Sequence, residues 1–345
     1  MNPVNLKKIQ TISLVLLLFF FLHIVSVVYH FFRVPIVPKG TSTSVKVYPG
    51  HGIYDLASEL HQQNIIQHPW IFSAFANIVG AQNQLRFGEY AIEYPMTAWN
   101  LLQHVTHGTG FVKHRLTIVE GSTFQQLQTA IAQDKNLSQT LQNQPDSRLT
   151  QQLNTSHDNL EGLFYPNTYF YTWRNSDFSL YQTAYGVMQK TLNDAWEHRA
   201  SNLPYTSAYQ ALIAASLIER ETSVSAEKPL IASVILNRLE KHMRLQIDPT
   251  VLYGLHKPYG DTITKKDLQS KTAYNTYQMN GLPPTPICMP SISSIDAALH
   301  PATTNYLYYV ATGDGGHRFS KTYQEHMAQT KQFKLQLKMK NTSTV

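Results

Sequence analysis

Residues 211–221 read ALIAASLIERE, and the rest of the chain is legible from this stretch. Residues 211–218 carry one hydroxyl and no charge, and Glu219 follows in the same helical pattern. At helical spacing Leu212, Ala215 and Ser216 lie one or two turns before Glu219, on its own face. Glu219 is therefore expected to project from what is otherwise packing surface. Stop signals at Thr222-Ser223 place it near the helix C-terminus. Apolar surroundings penalise a carboxylate and the negative end of the helix dipole repels it, so a protonated acid is expected. Such a group suits general-acid chemistry. Glu221 lies roughly 200° further round and cannot serve the same face; Arg220 points elsewhere again. Taken alone, a glutamate at a helix end most often pairs with a neighbouring lysine or arginine at the surface. The segment that follows it changes those odds.

The 345 residues are enough for about two domains. Hydrophobic residues make up 43% and can fill real cores, while charged residues are only 14%. Twenty tyrosines, with abundant Gln, Asn and Thr, give a surface suited to neutral polar ligands such as sugars. The net charge of +6, pI near 9.1, is moderate and dispersed, which argues against nucleic acid as a partner and allows a weak pull towards an anionic envelope polymer. Cys288 is the sole cysteine, so no internal disulfide forms.

Residues 9–32 form a run without formal charge, long enough as a helix to span a bilayer. No small-residue cleavage site follows, so an uncleaved membrane span is expected, with residues 1–8 as a cytoplasmic tail and the polar bulk outside. Residues 33–43, with Pro35, Pro38 and Gly40, read as a linker. Strand–helix–helix–strand signals follow over residues 45–48, 53–63, 68–79 and 85–94, within a module of residues 44–109, and another helix spans 96–107 with Thr97 as cap. A catalytic domain is expected over 110–340: a strand at 112–119, a helix at 124–133, a mobile polar excursion at 134–158, and helices at 178–200 and 205–222. A further helix, capped by Ser225, takes Pro229 in its first turn. Residues 271–290 hold four prolines and no long helix, a loop of the kind that shapes a site. A strand at 306–311 turns into 317–319, and a helix runs from 322 to about 333. The last segment, FKLQLKMK, alternates, and reads as a strand or a frayed tail. The fold class is α+β. No P-loop, GxGxxG or HExxH occurs, and His300, His317 and His326 lack recognisable zinc-ligand spacing, so no cofactor and no metal are expected.

Several long motifs stand in one order: IVEGSTFQQL, LEGLFYPNTY, LIAASLIERET, KPLIASVILNRL, MRLQIDPTVLYG, KTAYNTYQMNGLPPTPI, ALHPA and LYYVATGDGGHRF. Over residues 44–330 the chain resembles the YceG-like family, the endolytic murein transglycosylases. The resemblance implies a membrane-anchored enzyme of the bacterial inner (cytoplasmic) membrane, with its catalytic domain on the periplasmic side. Such enzymes cut the β-1,4 bond between N-acetylmuramic acid and N-acetylglucosamine without water, leaving a 1,6-anhydromuramyl end. The family's catalytic acid lies in an IVEKET-type motif, which here makes it Glu219; Arg220 replaces the motif's lysine and should not matter. Gln246, Tyr253, Tyr274, Asn275, Tyr277 and His317 fall in family motifs and are expected to line the glycan cleft.

One carboxyl suffices for that chemistry, because the muramyl 6-hydroxyl is the nucleophile. A hydrolytic glycosidase would need a second carboxylate, for which Glu161 and Asp248 are the candidates; both read as groove residues that bind sugar or hold a loop. The strand–helix–helix–strand module resembles a LysM-like glycan-binding unit. Peptidoglycan strands, the membrane and a penicillin-binding synthase are the partners the resemblance implies. The alternatives are a hydrolytic muramidase and an inactive glycan-binding scaffold.

Overall fold

A computed structural model describes residues 3–313 and 315–342. The chain forms two compact units, residues 1–114 with 171–174, and residues 115–170 with 175–345.

The first unit begins with helix α1 (Pro3–Arg33). Its Leu16–Leu18 and Phe19–Phe21 side chains are each more than half exposed. Over this stretch the helix is apolar on every side, which is consistent with a membrane span, while Phe31 near its end is buried in the core. Strand β1 (Ser42–Val47), helices α2 (Ile53–Gln62) and α3 (Pro69–Ile78), and strand β2 (Gly88–Glu93) follow in the expected order. β1 and β2 pair antiparallel with Val45 opposite Tyr90. Val45, Val47, Tyr90 and Ile92 point inward at alternate positions. Against them α2 sets Ile53, Leu56, Ala57 and Leu60 at helical spacing. Helix α4 (Ala98–His107) closes the core, and Thr97 caps it by accepting from the Asn100 amide at 3.2 Å.

Part of the expected linker is not free. The Ile36 amide donates to the Met96 carbonyl at 2.9 Å, Pro35 bridges Thr97, and Val37 is buried. Two apolar residues in a proline-rich segment found a core to enter.

Strand β3 (Lys113–Thr117) leads to α5 (Phe124–Gln133), capped by Thr123. The polar stretch at 134–158 departs from expectation. It contains helix α6 (Asp146–Leu153), and Leu137, Leu149 and Leu153 are buried. The Asp177 carboxylate accepts from the Thr140 and Leu141 amides at 3.0 and 2.9 Å, which fixes the stretch. Its leucines are too sparse among glutamines to show a period. Strand β4 (Thr168–Thr172) precedes α7 (Asp177–Glu197).

Helix α8 (Ala208–Glu221) is the axis of the second unit. Every residue from Ala211 to Ile218 is buried, not one face alone. Helices α7, α9 (Lys228–Glu240), α10 (Asp248–Gly254) and, after the short α11 (Lys265–Leu268), α12 (Ile292–Leu299) pack around it. Ser225 opens a short 3-10 turn instead of capping α9. Strands β5 (Tyr308–Ala311) and β6 (His317–Ser320) form an antiparallel hairpin. Helix α13 (Tyr323–Thr342) continues through FKLQLKMK, so the alternation there does not make a strand. Phe333 lies against the hairpin turn at Gly313, a contact that favours helix over the local pattern.

Candidate active site

Glu219 ends α8 in a cradle of donors, and all of them address one oxygen. Its Oε2 accepts from the Ser291 amide (3.0 Å), the Ser291 and Ser294 hydroxyls (2.5 Å each) and the Lys228 ammonium (3.1 Å). Among the described residues none donates to Oε1. Lys228 opens α9; Ser291 caps α12 and Ser294 lies in its first turn. The carboxylate thus faces the positive end of α12. Lys228 is held in turn by the Ser291 and Ser293 hydroxyls at 3.0 and 2.9 Å.

The pro-rich loop at 271–290 delivers Ser291. Its Ile287 amide donates to the Ser216 hydroxyl (3.1 Å), and Met289 and Gly121–Ser122 exchange two backbone bonds at 2.8 Å. Gly162, at φ +78°, lets the loop pass: a Cβ there would lie 2.5 Å from Pro286 Cβ. Cys288 is fully buried in this loop, which raises its thiol pKa.

The electrostatics reverse one expectation. Burial pushes the Glu219 carboxyl up, but hydrogen bonds from Ser291 and Ser294 and the Lys228 charge outweigh it and hold the group below the ordinary carboxylate range. The protonated resting acid expected from apolar neighbours and the α8 dipole is not what the fold makes. The cradle comes from two other segments, the starts of α9 and α12, and is invisible in the helix itself.

Raised carboxyls sit elsewhere. Burial, with the nearby Asp248 charge, brings Glu221 up to about 7 against the pull of the Tyr309 hydroxyl and Arg238. Burial also brings Glu161 up to about 7, opposed by the Phe124 amide and the Tyr253 hydroxyl.

Two cavities flank this helix end. One, of about 780 Å³, is lined by Glu221, Arg238, Gln246, Asp248, Tyr277 and His317. Within it the Tyr277 hydroxyl donates to Asp248 Oδ1 (2.5 Å), Arg238 donates to Gln246 Oε1 (3.3 Å), and His317 Nδ1 lies 2.8 Å from Glu227 Oε2. The other, of about 800 Å³, is lined by Glu161, Tyr253 and Lys257 among others. Glu161 receives the Phe124 amide (2.8 Å) and the Tyr253 hydroxyl (3.1 Å). Arg220, Leu252 and Tyr259 belong to both walls, and Arg220 also lines a third hollow of about 400 Å³ beside Gly121. The Arg220 guanidinium lies 4.3 Å from the Tyr259 ring centre, and the Tyr259 hydroxyl donates to the Arg220 carbonyl at 2.6 Å. The arginine in the motif's lysine position is therefore a wall of the site, with a flat stacking partner that lysine would not use as well.

The candidate residues divide accordingly. Gln246, Asp248, Tyr277 and His317 share one cavity; Glu161 and Tyr253 share the other. Tyr274 meets Tyr253 edge-on and bonds Thr285 at 2.9 Å. Asn275 is fully buried and its amide holds the Ser270 carbonyl at 2.7 Å, so it braces the loop and lines no cleft. Glu219 lines neither large cavity; its side chain is 10% exposed, and its Cγ is 3.8 Å from where a Gly121 Cβ would stand. Sequence reasoning missed Lys228, Ser291 and Ser294, and set Glu221 aside as lying on another face without its raised pKa. The signals were there: a lysine opening an apolar helix, and a serine cluster capping one.

Comparison with known proteins covers all of this region. The YceG-like family model matches residues 45–332. An endolytic murein transglycosylase of Bacillus subtilis (strain 168) is 33% identical over 307 residues, covering 83% of each chain. One of Streptococcus pneumoniae serotype 2 is 25% identical over 314 residues, 82% of this chain and 56% of that protein. The chain thus spans little more than half the streptococcal relative's length. A crystal structure of a yceG-like protein from Listeria monocytogenes matches with a TM-score of 0.54 and 29% identity, over 83% of this chain and 98% of that one. The chain belongs to the YceG-like family.

Proposed function

We propose that this enzyme is an endolytic murein transglycosylase that cuts peptidoglycan strands without water, with Glu219 as its single acid and base. One observation carries the reading: the Glu219 carboxylate is anchored through Oε2 alone, leaving Oε1 for a substrate. As acid, Glu219 protonates the oxygen between N-acetylmuramic acid and N-acetylglucosamine, and that C1–O bond breaks. As base, it takes the proton of the muramyl 6-hydroxyl while that oxygen closes on C1. The proton count is restored, and the product is a 1,6-anhydromuramyl end. The free carboxyl is held ionised, so glycan binding must load it. Covering Oε1 removes water, and desolvation is already the largest influence on this group.

The remaining assignments follow from the same reading. Gln246, Tyr277 and His317 on one side, Tyr253 and Glu161 on the other, contact sugar across the stacked Arg220–Tyr259 pair. Helix α1 crosses the cytoplasmic membrane with its N-terminus inside, and the β1–β2 unit is a LysM-like glycan contact. Nascent strands near a penicillin-binding synthase are the substrate.

The test is mass spectrometry of muropeptides after digestion by the full chain, wild type beside Glu219→Gln. Anhydro ends are expected, falling by about 10²–10⁴-fold in the variant. Reducing ends from the wild type would overturn the reading and bring Asp248 forward as a second carboxylate.

A further inference from the structure

Helix α3 carries no charged residue. Its inner side is Phe72, Ser73 and Ala76. Its outer side is largely apolar as well: Trp70 is 66% exposed, Ile78 78% and the adjoining Val79 45%, with Asn77 the polar member at its edge, donating to the Tyr54 hydroxyl. Ala74, also exposed, sits between Trp70 and Ile78 at four-residue steps. A surface helix in water normally turns charge outward. Between Leu60 and Glu89 the sequence has no Asp or Glu at all, and Arg86 is its sole formal charge.

That outer face leads to the apolar span. At about 100° per residue, Ala74, Ile78, Ile71 and Phe75 follow one another round α3. Phe75 stacks on Phe31 with ring centres 4.2 Å apart and meets Phe32 edge-on at 5.6 Å. Phe31 and Phe32 close α1 just before Arg33. The stretch Gln10–Arg33 is 24 residues; at about 1.5 Å per residue it exceeds a hydrocarbon core of about 30 Å. Its last turn, and the side of α3 touching it, therefore stand at headgroup level.

We infer that the outer face of α3 lies in the bilayer that α1 spans, with Trp70, Ile78 and Val79 seated between headgroups and upper acyl chains. This rests on the membrane reading above. Lipid is the occupant because the apolar arc is continuous with a helix already apolar on every side, and because tryptophan favours that depth. The first unit is then held to the membrane at two places, α1 and α3.

Site-directed spin labelling tests this in the full chain, in nanodiscs of phosphatidylethanolamine and phosphatidylglycerol. Ile78→Cys is compared with Leu18→Cys in the span and Gln62→Cys, exposed on α2. The unmutated chain, whose sole thiol is buried, is the blank. The ratio of oxygen to nickel-chelate accessibility at Ile78→Cys should be severalfold above that at Gln62→Cys and below that at Leu18→Cys. A ratio equal to Gln62→Cys, with Leu18→Cys still lipid-like, would overturn the α3 contact and leave the span standing. A water-like ratio at Leu18→Cys would overturn both.

Discussion

Glu219 and Glu221 stand two residues apart at the end of one helix, and the fold treats them oppositely. Burial presses on both carboxyls and favours their protonated forms. Glu219 meets three serine donors, a lysine and a helix N-terminus, and is held ionised. Glu221 meets Tyr309 and Arg238, with Asp248 working against them, and rises to about 7. Donor number, not burial, separates them. A carboxyl's resting state cannot be read from the helix that carries it when its partners arrive from elsewhere.

The largest test of this contrast is catalytic. Glu219→Gln should lose about 10²–10⁴-fold in kcat, whereas Glu221→Gln, at a carboxyl already about half protonated near pH 7, should stay within roughly one order of magnitude. The steady-state rate of peptidoglycan strand cleavage measures both. Equal losses would mean that the two carboxyls act together.

The cradle can be broken next. Lys228→Met removes a cation whose side chain is 5% exposed and leaves Glu219 with one donor fewer. A loss of about 3–5 kcal/mol in denaturant unfolding is expected for breaking a buried pair. The Glu219 pKa should rise, so the alkaline limb of kcat/KM should move to higher pH, the direction a general acid requires.

Glu221 makes the contrast visible without activity. Its folded pKa of about 7 exceeds the ordinary 4.5. The stability it contributes is complete below about pH 4.5 and is lost as pH rises towards 7, on the order of 3 kcal/mol. Glu161, also near 7, adds a loss of the same sign. Unfolding free energy should therefore fall over this window in wild type and fall distinctly less in Glu221→Gln. Glu219, with its lowered pKa, works the other way and loses stability only on acidification.

The smallest effect belongs to Gly121, at φ +75° beside Glu219. Gly121→Ala meets no close atom, the nearest being Glu219 Cγ at 3.8 Å, but pays left-handed strain of about 1–2 kcal/mol. A lower Tm with only a few-fold loss of rate is expected; a collapse of activity would show that the cradle depends on this turn.

Most elements could be read from sequence where local chemistry and burial agree. Thr97 caps α4 as its position announces, and α5 spans the residues 124–133 expected of it. Leu56 and Leu60 face the core as their period requires. The failures are places where distant contacts decide. Asp177 ties down the stretch around Thr140, and Phe333 meets Gly313; neither is visible in a local window. The place of Glu219 near the end of α8 was readable. Its donors were not, because a lysine opening α9 and serines capping α12 look like ordinary helix-end residues until the chain folds them onto one oxygen.

The short segment after α1 has a mechanical consequence. With residues 34–37 held against Met96 and Thr97, and Thr41 turned back onto the Pro38 carbonyl at 2.7 Å, little slack remains before β1. Four free residues would have allowed about 13 Å of reach. Without it, the inclination of α1 is passed on to the unit it enters.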